Sequence, residues 1–309
     1  MSAAKRFFHM SVAALLAALC LFTGMPVRAS AKTGSAARPI AVDGGRKHSV
    51  ILYDDGTVVT LGDDSKGQRS TSGWRNIVAV STFYDHTLGL KSDGTVVAAG
   101  ENEMGQCDVE DWTDIVAVAA GTRHSVGVRE DGTVVAAGAN EAGQCEVAGW
   151  KNVVQVAANA TSTFGLTGDG KVLMDGSFQN RTLSRWSDIV SLSVSSNHVV
   201  GVHSDGTVSA LGANDRGQLD NLEKWEDTVQ VAAGYGFTVG LRETGGVWVH
   251  GCDDHNEHAA MGFDGCVAIG TGIEHILGIR ADGTLWAKGT NDCGQCDVYR
   301  LNQRLCNPL

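Results

Sequence analysis

From Pro39 onward the chain alternates β-branched or aliphatic residues with small or polar ones, as in "IVAVAAG", "HSVGVRE" and "TVVAAG". No stripe of period 3.6 interrupts the pattern. Such short alternating runs predict strands. Asp-Gly, or Thr244-Gly245 in one case, stands between two runs of every group and supplies the positive φ of a tight hairpin turn. Anchored on Asp55, Asp93, Asp131, Asp169, Asp205, Thr244 and Asp282, the group repeats seven times. Seven residues before each anchor lie His48, His86, His124, Ser162, His198, Phe237 and His275. Seven residues after it lie Gly62, Gly100, Gly138, Gly176, Gly212, Gly251 and Gly289. Gly-Gln pairs begin at Gly67, Gly105, Gly143, Gly217 and Gly294, and Trp74, Trp112, Trp150, Trp186, Trp225 and Phe263 each precede the next histidine position by twelve residues.

A fixed register over this length indicates a repeat architecture. A period of about 38 residues holds four short strands and their turns, which is the size of one propeller blade. The sequence therefore predicts an all-β, seven-bladed β-propeller over residues 39–309, with four antiparallel strands per blade. Small residues such as Ala79, Ala119, Ala157 and Ala232 suit strands near a narrow axis, and each recurring histidine is expected to open an inner strand. The five histidines sit in register, one to a blade, so a hydrogen-bonding structural role is expected of them rather than a metal ring.

The unit "AGTRHSVGVREDGTVVAAGANEAGQ" resembles the repeat of the regulator-of-chromosome-condensation family, whose marks are an A-G-x-x-H-S stretch, a D-G-T-V turn and strand, and a G-x-N-x-x-G-Q close. The resemblance runs from Pro39 to about Val298 and implies the propeller fold. The family's nuclear founder is an exchange factor for a small GTPase and docks on nucleosomes. The short unit and the leader described next look more like secreted bacterial members, among them a propeller-type β-lactamase inhibitor that grips its enzyme with loops on one face. The resemblance thus implies a binding scaffold, although a fold assigns no chemistry by itself.

Ahead of the repeats, Lys5 and Arg6 precede an apolar run from Val12 to Met25 and then Ala29-Ser30-Ala31. This is the pattern of a secretory signal peptide cleaved near Ala31, too short for a membrane span. Residues 1–31 are expected to be removed and residues 32–38 to form a linker. The remainder is expected to be secreted, periplasmic or held at the cell surface, as a monomer without a cofactor. The chain's formal charge of −11 becomes −14 once Lys5, Arg6 and Arg28 leave, since residues 1–31 contain no Asp or Glu. That balance argues against nucleic acid and against an anionic membrane surface. Seven cysteines would remain, too irregularly spaced for a disulfide framework. Cys107, Cys145 and Cys296 follow Gly-Gln in register, Cys266 aligns with Ile77, Ile115 and Ile189 as a buried small hydrophobe, and a Cys252–Cys266 pairing stays open.

Recurring residues have a structural explanation at hand, so function is sought where the units disagree. Strands that alternate in direction put the turns before the histidine positions and the loops before Gly-Gln on one face. The Asp-Gly turns and Trp segments take the other. The first face varies and offers Phe83, Tyr84, Arg123, Phe178, Tyr235, Asp253 and His255 as partner-binding residues on an acidic rim. Phe178 and Arg181 belong to a fourth unit without His or Gly-Gln. The sixth unit replaces its close with "HGCDDHNEHAAMGFDG", where His255, His258 and Asp253 are the candidate ligands for a divalent ion. The leading expectation is a non-catalytic scaffold that binds a protein partner. The alternatives are a propeller lyase or hydrolase with a metal at the channel mouth, and a cell-surface carbohydrate-binding module.

Overall fold

The computed structural model describes residues 37–178 and 182–306; the predicted leader, residues 32–36 of the predicted linker and Arg181 lie outside the described residues. Within them the chain forms seven antiparallel sheets of three strands each, in simple order. The first strands, Pro39–Gly44, Ile77–Thr82, Ile115–Ala120, Val153–Ala158, Ile189–Val194, Thr228–Ala233 and Cys266–Thr271, each touch the first strands of the two neighbouring sheets and so lie innermost. The innermost strand of the seventh sheet lies against that of the first. The histidines therefore open middle strands, not inner ones. The run that ends a few residues earlier, rich in Ala, Ser and Gly, takes the crowded axial place because it carries the smaller side chains.

Three strands form in each sheet where the sequence predicts four. The stretch from Gly-Gln to Trp satisfies its backbone N–H groups in consecutive turns, as with Gly67 to Asp64, Ser70 to Gly67 and Trp74 to Thr71 in the first unit. In three units it contains a short 3-10 helix: Leu183–Arg185, Leu222–Lys224 and Glu257–Gly262. Side chains then cover the outer strand's free edge; Arg69, for example, donates from Nη1 to the Gly62 carbonyl at 2.7 Å. An edge covered in this way offers no template for aggregation.

The core is divided among the blade interfaces. Each of seven apolar clusters straddles one pair of neighbouring sheets, as where Leu88, Leu90, Val96 and Trp112 of the second unit meet Ile115 and Ala120 of the third. The recurring Trp packs against a glycine of the next middle strand: Trp112 lies over Gly127, Trp150 over Gly165 and Trp225 over Gly240. A β-carbon at any of these glycines would run into the indole.

A polar staple accompanies the apolar contact at five of the seven interfaces. His48 Nε2 meets Thr87 Oγ1 of the next blade at 3.0 Å, and the same hydroxyl donates to the Gln68 carbonyl at 3.0 Å. The arrangement recurs with His86, Ser125 and Gln106; with His124, Thr163 and Gln144; and with His198, Thr238 and Gln218. The fifth staple joins the last blade to the first, through His275, Ser49 and Gln295. Because each hydroxyl spends its one proton on a carbonyl, it accepts from the imidazole, which fixes the neutral Nε2–H tautomer.

The staple is lost as a whole wherever it is lost. Between the fourth and fifth blades Ser162 replaces His, Val199 replaces the hydroxyl residue and Gly-Gln is absent; between the sixth and seventh, Phe237 faces Ile276. Those same two interfaces carry a different device on the innermost strands. Gln155 donates from Nε2 to the Leu192 carbonyl at 2.9 Å and accepts from its N–H at 3.2 Å, and Gln230 does the same with Ile269 at 2.8 and 3.1 Å. At the other five interfaces the matching residues are Ala41, Ala79, Ala117, Ser191 and Ala268, too short to make that bond.

Candidate binding face

One hydrogen bond per blade shows which loops share a face. The first N–H after each outer strand donates to the carbonyl of the turn before the histidine position: Asp63 to Lys47, Glu101 to Asp85, Ala139 to Arg123, Ser177 to Thr161, Ala213 to Asn197, Cys252 to Gly236 and Thr290 to Glu274, at 2.8–3.1 Å. The two sets of variable segments therefore stand together.

The loops on this face have a constant frame. The buried Gln of Gly-Gln accepts, through Oε1, the N–H of the residue two positions earlier: Lys66, Met104, Ala142, Arg216 and Cys293, at 2.8–3.0 Å. An Asn or Asp four residues before the Gln accepts the N–H of the residue just after it, as Asn102 does from Cys107 at 2.7 Å. Where that residue is cysteine, its thiol donates to the carbonyl at the start of the loop, Cys107 to Glu101 at 3.3 Å and Cys145 to Ala139 at 3.2 Å. Backbone geometry is thus fixed while the tip side chain changes from loop to loop.

The sixth unit keeps this frame in altered chemistry. Asn256, left-handed at φ 66, stands for the glycine, and buried Glu257 accepts the His255 N–H at 2.9 Å as the glutamines do elsewhere. Asp253 accepts the His258 N–H at 2.7 Å. These two carboxylates hold the loop together. His255 Nδ1 lies 3.5 Å from Glu257, His258 Nδ1 lies 3.9 Å from Asp253, and among the described residues no three His, Cys, Asp or Glu side chains converge as a metal site. Cys252 and Cys266 are both free thiols; Cys266 is buried and accepts from Trp286 Nε1 at 3.2 Å.

The aromatic candidates divide. Phe83 is half-buried against the cluster around Leu88 and Trp112, and Phe178 meets Phe164 edge-on at 5.4 Å between the fourth and fifth blades. Phe178 belongs to the unit that lacks His and Gly-Gln, and Phe83 stands where the first and third units have Gly45 and Gly121. Tyr84 and Tyr235 remain on the face, and each carries an arginine. Arg46 lies over the Tyr84 ring at 4.8 Å and pairs with Asp85 at 3.2 Å; Arg216 lies over Tyr235 at 5.4 Å and pairs with Asp254 at 2.7 Å. The sequence gives no sign of these two Arg-Tyr-Asp brackets, because every arginine comes from the blade before its tyrosine. A chain of backbone bonds links them across two blades: Tyr235 N–H to Ile273 O, Ile273 N–H to Gly45 O, and Arg46 N–H to Tyr84 O. Arg123 is exposed and stands apart from both brackets.

The repeat found in the sequence has a known counterpart. The family model described as "Regulator of chromosome condensation (RCC1) repeat" matches residues 77–106, 115–144 and 266–295. The chain carries RCC1 repeats. Among solved structures, the ectodomain of the Arabidopsis thaliana receptor kinase ACR4 superposes with a TM-score of 0.66 at 14% identity, covering 84% of this chain and 98% of that one. Yeast RCC1 (Prp20) in its complex with Kap60 gives 0.61 at 16% identity, covering 87% and 84%. Prp20p of Saccharomyces cerevisiae, in a study of its binding to Gsp1p and histones, gives 0.57 at 16%, covering 87% and 86%. At such identities the likeness concerns the fold alone. No curated protein matches the chain.

Proposed function

We propose that this chain is an exported, monomeric, non-catalytic binding scaffold, a seven-bladed propeller closed at its first and last blades, which holds a protein partner on its loop face. One observation carries the reading: on that face a repeated frame of Gln, Asn and Gly holds the backbone constant while tip residues vary, and two pre-formed Arg-Tyr-Asp brackets flank the same arc. Tyrosines held rigid by a stacked cation lose little freedom on binding, which suits them as anchors.

The partner surface facing this arc is basic. Three cations of the face are already neutralised within it: Arg46 and Arg216 in the brackets, and Lys66 by Glu101 at 3.2 Å and Glu103 at 3.3 Å. Carboxylates such as Asp215, Asp253 and Asp292 exceed the cations that remain, so a partner's Lys and Arg complete the pairing. Prp20, a relative in fold, binds Kap60 and is linked to Gsp1p and histones by the work that describes it, which fits use of the fold for protein contacts.

The test is capture from the native extracellular fluid with wild type, with Tyr84→Ala/Tyr235→Ala, and with Arg129→Ala/Lys171→Ala on the opposite face. One protein recovered by wild type and the opposite-face variant but lost with the tyrosine variant supports the reading. Equal recovery by all three removes the loop face from it.

A further inference from the structure

The two kinds of joint between blades divide the ring unequally. His-hydroxyl-Gln staples join blades seven, one, two, three and four into one run and join blade five to blade six, and the two runs meet only at the glutamine joints. We infer that the ring is two rigid arcs, of five blades and of two, hinged at Gln155 and Gln230.

The geometry of the joints gives the hinge its axis. A His staple ties the start of one middle strand to the next and also ties in the Gly-Gln loop, so it holds an interface shut on the loop face. Gln155 and Gln230 act on the innermost strands only. Outward of them the contact is apolar: Phe164, Phe178 and Val199 at one joint, Phe237, Ile276 and Trp286 at the other. Apolar contact is non-directional and tolerates small rotations that a three-member hydrogen-bonded staple forbids. The other polar bonds of the two joints also lie on the innermost strands and their turns: Asn159 Nδ2 to the Ser195 carbonyl at 3.1 Å in the first, and Thr271 Oγ1 to the Ala233 carbonyl at 3.1 Å and Tyr235 N–H to Ile273 O at 2.8 Å in the second. One bracket's arginine and tyrosine, Arg216 and Tyr235, ride on the two-blade arc, and Arg46 and Tyr84 ride on the five-blade arc. Rotation at the joints therefore changes the distance between the brackets. That last consequence rests on the proposed binding role, whereas the hinge itself does not.

Hydrogen exchange on the whole chain tests the hinge without any partner. In wild type under mild denaturant, blades five and six, residues 189–262, exchange as one block ahead of the rest. Gln155→Ala speeds exchange at Leu192, whose N–H it releases, by about tenfold, together with that block. Gln230→Ala does the same at Ile269, and Ser125→Val, which breaks a His staple within the long arc, leaves the block unchanged. Opening of all seven blades together in wild type, or an effect of Gln155→Ala confined to Leu192, overturns the inference. Loss of capture by the tyrosine variant with wild-type exchange concerns binding alone.

Discussion

Ser49 and His275 lie 226 residues apart in the chain and 2.9 Å apart in space. The serine hydroxyl accepts from the imidazole of the last blade and donates to the Gln295 carbonyl of that same blade at 2.8 Å. Ser49→Ala leaves a buried N–H and a buried carbonyl unmatched, and the expected loss of stability is about 1–3 kcal/mol. Replacing the pair together, Ser49→Ile/His275→Phe, copies the sixth-to-seventh joint and is expected to cost less than Ser49→Ala. Urea unfolding followed by fluorescence compares the three proteins, and a double variant weaker than the single one contradicts the expectation.

This pair also marks how far the sequence could be read. The seven units, their register and the shared face of the two loop sets were all legible, because a tight turn needs Asp-Gly and a Trp needs a glycine beneath it. The partners of the histidines were not, since a staple joins residues one repeat apart and each half looks like ordinary strand. Nor was the fourth strand's absence, because turns and strands satisfy the same small polar residues. Phe83 and Phe178 read as surface anchors from their places in variable turns, yet the apolar clusters they pack against are assembled from two blades and exist only once those blades meet. Tyr84 and Tyr235 were found by the same argument and do lie on the face.

Acid should act through the histidines. Burial lowers His48 and His86 to about 3 and His124, His198 and His275 to about 4, and apart from His198 their Nδ1 atoms have no acceptor for a second proton. The unfolded chain takes up those protons below the ordinary value near 6.5, the folded chain only near 3–4. The stability these groups contribute is therefore whole above pH 6.5 and is lost as pH falls through about 4. Urea midpoints should hold from pH 8 to about pH 6.5 and fall from there to pH 4, and His124→Gln should flatten the profile. A midpoint that does not move across that range is the contrary result.

Asp43 has the opposite sign. It lies half-buried on the innermost strand, its carboxylate accepting the Thr82 N–H of the next blade at 2.8 Å, and burial pushes it up to about 7. The folded chain holds its proton more tightly than the unfolded one, so its contribution is present below about pH 4 and fades as pH rises through 7. Asp43→Asn keeps an acceptor oxygen for Thr82 and carries no charge. Its stability relative to wild type should therefore rise between pH 5 and pH 8, and a constant difference over that interval would sink the argument.

Thiol chemistry should single out one cysteine in the repeat loops. Burial raises Cys107 and Cys296 to about 12 and Cys145 to about 11, and each thiol is held by a backbone carbonyl. A thiol so held presents little thiolate at neutral pH. Cys293 occupies an exposed loop tip, its side chain outside the frame that its backbone N–H helps to form. Brief iodoacetamide treatment of the native protein at pH 7.5, mapped by mass spectrometry, should modify Cys293 well before those three; equal labelling of all four would show that the loops open readily.

The closing interface rearranges bulk without losing it. At five interfaces the recurring Trp covers a middle-strand glycine, but here the glycine position is Ile51, and Leu301 of the C-terminal helix Tyr299–Cys306 stands where the next Trp would be; both belong to one buried cluster with Val42 and Leu277. Asn302 follows, its amide accepting from the Leu285 N–H and donating to the Leu285 carbonyl, both at 2.8 Å, so that one side chain covers the outer strand of the last blade. Leu301→Trp alone is expected to overpack against Ile51 by about 1–3 kcal/mol. Ile51→Gly alone leaves a cavity costing about as much as other large truncations, 2–5 kcal/mol. Since the combination recreates the Trp-on-Gly contact of those five interfaces, Ile51→Gly/Leu301→Trp should be more stable than the sum of the two single changes predicts. A double-mutant cycle by urea unfolding measures that coupling, and strict additivity would mean that the helix does not take the place of the missing Trp.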